Sequence, residues 1–99
     1  MKTKIINDAI LYLEGSIENF IQMKDLLNSS TNQKDKTKYN EKLFDVMIDT
    51  KEYVKENGLY KIGLDNDDRL EKVNLDGMTK PIYFEKDIKY LVTKLKSKI

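Results

Sequence analysis

Ile6, Ile10, Leu13, Ile17, Phe20 and Leu27 recur at alternating spacings of four and three. Side chains three and four positions apart share one face of a helix, so this pattern commits the opening segment to a helix with a continuous apolar stripe. Ala9, Ser16 and Ile21 widen the stripe, which suits packing against more than one neighbour. Lys24 stands in the seam where an apolar residue belongs. A charged seam position lowers stability but can set register or partner number, so a homodimer through this helix is one expectation. Thr3 is placed to cap the helix. Gly15 inside it costs about 1 kcal/mol relative to Ala and reads as a place for a close backbone approach.

The tract Asn28-Ser29-Ser30-Thr31-Asn32-Gln33 is polar and unpatterned, and Lys34, Lys36 and Lys38 follow it. This reads as a loop of about ten residues with a basic end. A second helix is expected from Thr37 or Asn40 to Asn57, with Leu43, Phe44, Met47, Ile48 and Val54 on one broad face. Gly58 supplies the left-handed residue that commonly ends a helix. The two helices would pack as an antiparallel hairpin.

After Gly58 the period changes. Tyr60, Ile62 and Leu64 alternate with Leu59, Lys61 and Gly63, then Asp65-Asn66-Asp67-Asp68 supplies a turn before Val73 and Leu75 resume the alternation. That predicts a β-hairpin over residues 59–75, with Pro81-Ile82-Tyr83 as a short edge strand. The last helix places Phe84, Ile88, Leu91, Val92 and Leu95 on one face. Glu85 and Asp87 are expected in its first turn and Lys94, Lys96 and Lys98 near its end, an order that complements the helix dipole.

A chain of 99 residues holds one domain. The expected class is α+β, mostly α: two long N-terminal helices packed as a hairpin, a small β-hairpin or three-stranded sheet, and a C-terminal amphipathic helix. An all-α bundle is the alternative. Chains of this size bury only about 60–70% of their unfolded surface, which leaves room for a partner to complete the burial.

Composition removes much chemistry. The chain has no Cys, no His and no Trp. It therefore lacks a disulfide or thiolate, the commonest metal ligand, and the side chain best suited to proton transfer near neutral pH. The sequence shows no Gly-rich phosphate loop and no nucleophile elbow. No stretch approaches the roughly 20 apolar residues of a membrane span, and Asn7, Asp8 and Glu14 interrupt any signal-like run. The expectations are a cytoplasmic, non-catalytic protein with no cofactor. Abundant Lys, Asn and Ile fit an AT-rich coding sequence, such as that of a low-GC bacterium, its phages or other mobile elements.

Charge is unevenly spread. The net charge is +1, but residues 45–76 carry 5 bases against 9 acids and residues 77–99 carry 6 Lys against 2 acids. These halves either pair within the fold or serve as separate patches for different partners. Asp65, Asp67 and Asp68 are candidates for docking a basic partner. A calcium loop does not fit them. With Asp65 as the first position, Arg69 falls where an oxygen ligand is needed and Leu70 where Gly is needed.

Lys86, Lys89 and Lys96 lie with Thr93 on one face of the last helix, where they could meet nucleic-acid phosphates. The stretch Tyr83-Phe84-Glu85-Lys86-Asp87-Ile88-Lys89-Tyr90-Leu91 resembles the start of the helix that follows the wing in MerR-type regulators and some excisionases. The resemblance covers nine residues and implies a winged-helix nucleic-acid binder. The helix-turn-helix that precedes the wing in those families has no counterpart in residues 37–58. Tyr12, Tyr39, Tyr53, Tyr60, Tyr83 and Tyr90 favour the other class of function, since Tyr buries area at interfaces at low entropic cost. The leading expectation is a small protein-binding module, an inhibitor or adaptor; the alternative is the winged-helix-like regulator.

Overall fold

The computed structural model describes residues 2–59 and 81–99. They form three α-helices: α1 (Lys2–Ser29), α2 (Gln33–Glu56) and α3 (Pro81–Lys96). The described fold is all-helical and contains no strand, which corrects the α+β expectation in favour of the helical alternative. Apart from Leu59, a buried core residue, the proposed hairpin over 59–75 lies outside the described residues.

The stripe on α1 is spent inside the molecule. Ile6, Ala9, Ile10, Leu13, Ile17 and Phe20 are buried in one cluster with residues of α2 and α3. The side chains that would form a dimer seam are thus already covered by this chain's own helices. Lys24 is exposed, beyond the buried part of the stripe. Helix α1 starts at Lys2, so Thr3 is an exposed residue of the first turn and not a cap. At Gly15 an added Cβ would meet nothing within 4 Å, so no backbone approaches it closely.

The polar tract between the helices is a tight link of Ser30, Thr31 and Asn32 and not a ten-residue loop. Its polar side chains satisfy helix ends. The Ser29 and Ser30 hydroxyls donate to the Leu26 carbonyl at 3.1 and 2.6 Å. Asn32, in extended conformation, caps α2: its Oδ1 accepts from the Asp35 amide at 2.8 Å, and its Nδ2 donates to the Asp35 carboxylate at 2.9 Å. This reciprocal arrangement fixes the helix start, and the negative charge of Asp35 suits the dipole there. Lys34, Lys36 and Lys38 consequently lie in the first turns of α2. Residues two apart point some 200° apart around a helix, so neighbouring lysines of this series do not converge.

The buried face of α2 is Leu43, Met47, Thr50 and Val54, the same four-three-four pattern as on α1. Thr50 is tolerated there because its hydroxyl donates to the Val46 carbonyl at 2.7 Å. Phe44 and Ile48 fall outside this face; Ile48 is 52% exposed. Gly58 ends the helix as expected, at φ 57°, with the Asn57 amide bonded to the Tyr53 carbonyl at 3.1 Å.

Pro81-Ile82-Tyr83 is the first turn of α3 and not an edge strand. Proline suits that position because its missing N–H would have no partner in a first turn. Glu85 and Asp87 therefore sit beyond the first turn, whereas Lys94 and Lys96 do lie in the last. Helix α3 buries Phe84, Ile88, Leu91, Val92 and Leu95, and Phe84 meets Phe20 with ring centroids 4.7 Å apart. Helix α1 is thus the shared wall of the core, with α2 and α3 packed on it.

Candidate functional site

The residues singled out by sequence fall into two groups. Asp65, Asp67 and Asp68 lie outside the described residues. Lys86, Lys89 and Lys96 are on α3 and exposed. Two of these three are held by carboxylates: Lys89 Nζ lies 3.2 Å from Glu85 Oε2, and Lys96 Nζ lies 2.8 Å from Glu14 Oε1 on α1. Both pairs are well exposed and add little stability, but they cancel much of the positive field of this face. Burial raises the pKa of neighbouring Asp87, and the charge of Lys86 works against that rise. Two of the three lysines of the stripe are thus salt-bridged within the fold.

Among the described residues a concave feature lies elsewhere, along the outer seam of α1 and α2. From α1 it is lined by Leu11, Tyr12, Gly15, Ser16 and Asn19. From α2 come Val46, Asp49 and Thr50. It is an open groove of about 330 Å³. Leu11 stands at its edge with 71% of its surface exposed, a large apolar side chain on the side of α1 away from the buried stripe. Gly15 widens the groove because no side chain fills the space there.

Beside the groove Tyr12 and Tyr53 stack across the two helices, ring centroids 3.8 Å apart and planes 11° from parallel. Burial raises the Tyr12 pKa above 10.0, and the carboxylates of Asp49 and Glu52 raise it further, against a hydrogen bond with the Ser16 side chain that lowers it. Burial likewise raises that of Tyr53, followed by the charge of Asp8 and the neighbouring Tyr12. Both phenols are neutral at physiological pH and set in a negative field.

Among the described residues no cluster of three or more carboxylates has a metal-binding arrangement. No helix among them is long and apolar enough to cross a membrane. No protein-family model, no curated protein and no solved structure matches the chain.

Sequence reasoning counted Tyr12 and Tyr53 among the interface-type tyrosines but did not pair them, and it missed Leu11, Val46 and Asp49. One signal was there to find. Leu11 is an apolar residue off the stripe of an otherwise regular amphipathic helix, and such a residue is unneeded for the core.

Proposed function

We propose that this chain is a small protein-binding module, of the inhibitor or adaptor kind, which docks its partner along the α1–α2 groove. The observation that carries the reading is Leu11, 71% exposed at the edge of a groove flanked by a tyrosine stack. Interfaces concentrate their binding energy on aromatic and Arg side chains that meet pockets, and here Tyr12 lines a depression that a partner side chain can fill. Solvent-facing leucine on a small helical protein adds nothing to the core, whereas at an interface it contributes the burial of its whole side chain.

The test is affinity capture from cells that naturally contain the protein, with wild type and Leu11→Lys as parallel baits, in the presence of nuclease. A stoichiometric partner held by wild type and lost with Leu11→Lys supports the reading. A capture profile unchanged by the substitution removes the groove from function.

A further inference from the structure

The groove carries one sign of charge. Asp49 lines it, and among the described residues no Lys or Arg does. The charges of Asp49 and Glu52 disfavour ionisation of the Tyr12 phenol and that of Asp8 disfavours ionisation of Tyr53, so the field at the stacked rings is negative. At about 330 Å³ and open to solvent, the groove is at the small end of the roughly 300–1,000 Å³ range of ligand pockets, so it takes a pair of side chains and does not enclose a cofactor.

An aromatic face, a carboxylate beside it and an apolar rim are together the environment a guanidinium satisfies best. Its plane stacks on a ring, its fork matches a carboxylate, and it is weakly hydrated enough to leave water. We propose that the groove docks a basic amphipathic helix of a partner protein, with an arginine laid against Tyr12 and Asp49 and an apolar side chain one turn away on Leu11 and Val46. This deepens the protein-binding reading and rests on it. A lysine in place of the arginine would satisfy the charge but neither the stacking nor the fork.

The experiment uses the full chain labelled with nitrogen-15 and a synthetic helical peptide carrying Arg and Leu four residues apart. A twin peptide has Gln in place of Arg, and each is titrated into wild type and Asp49→Asn. Asp49 is exposed, so the variant keeps the fold, which circular dichroism verifies. The Arg peptide is expected to shift the amide resonances of Leu11, Gly15, Asn19 and Val46. Loss of either charge should weaken Kd about tenfold, equivalent to ~1.4 kcal/mol, and losing both should cost little more than losing one. Equal binding of the Gln twin in the groove overturns the basic-partner proposal and leaves the docking reading standing. If neither peptide moves the groove resonances, the proposal also falls, and the docking reading is judged separately by capture with Leu11→Lys. Groove resonances that move when the protein alone is concentrated would make the occupant a second copy of this chain and overturn the proposal.

Discussion

Tyr12 of α1 and Tyr53 of α2 lie face to face, 3.8 Å between ring centroids, and clamp the two long helices together beside the groove. The pair is structural and electrostatic at once, because burial and the charges of Asp49, Asp8 and Glu52 hold both phenols protonated. Aromatic pairs contribute about 0.5–1.5 kcal/mol beyond the area they bury. A double-mutant cycle with Tyr12→Ala and Tyr53→Ala, read by urea unfolding, should return a coupling energy in that range.

The same pair makes the fold sensitive to alkali. Both phenols have pKa values raised above 10.0 in the folded chain. The folded state therefore holds these protons more tightly than the unfolded state. Their contribution is fully present below pH 10 and is lost as pH rises through the folded values. Stability of wild type should fall more steeply above pH 10 than that of Tyr12→Phe/Tyr53→Phe, as followed by chemical denaturation across the pH series.

Asp87 has one carboxylate oxygen buried without a hydrogen-bond partner among the described residues. Burial raises its pKa above 3.8, against the favourable charge of Lys86. The sign is the same as for the tyrosines: this group stabilises most when protonated, below 3.8, and its contribution is lost as pH rises through the folded value. Asp87→Asn should raise Tm at pH 7, and the gain over wild type should shrink as pH is lowered toward 4. A gain independent of pH would assign the effect to packing instead of charge.

Gly15 offers a test of helix stability from within the groove lining. An added methyl meets nothing within 4 Å, so Gly15→Ala should stabilise α1 by up to about 1 kcal/mol. For a domain of this size that corresponds to roughly 4–8 °C in Tm. Asn32→Ala should act in the opposite direction by about 1 kcal/mol, through loss of the α2 cap.

These residues also mark how far the sequence could be read. The α1 stripe was legible because a three-four spacing admits one geometry, and five of its six seam residues are buried. The start of α2 was obscured by a polar tract that resembles a loop, although Asn32 followed three residues later by Asp35 is itself a capping signature. Thr50 completes the pattern of Leu43, Met47 and Val54, but a hydroxyl hides a buried position until its own-helix hydrogen bond is seen. Pro81 suits an edge strand or a helix start, and the helix start prevails because Phe84 and Ile88 continue the helical spacing.

The groove was the least legible feature. Spacing within one helix says which residues share a face, and nothing in it says that Tyr12 stands opposite Tyr53 or that Leu11 borders the same depression as Asp49. The α3 lysines were legible as a stripe, but the partner of Lys96 comes from Glu14, more than eighty residues away in sequence.

The most direct measurement of the central claim is the affinity of the captured partner, by isothermal titration calorimetry, for wild type, Leu11→Lys and Lys86→Glu/Lys89→Glu. The groove account predicts that Leu11→Lys weakens binding at least about tenfold, ~1.4 kcal/mol, and that reversing the α3 lysines changes it little. Unaltered affinity with Leu11→Lys, together with loss on reversing Lys86 and Lys89, would contradict the account and place binding on the opposite side of the core.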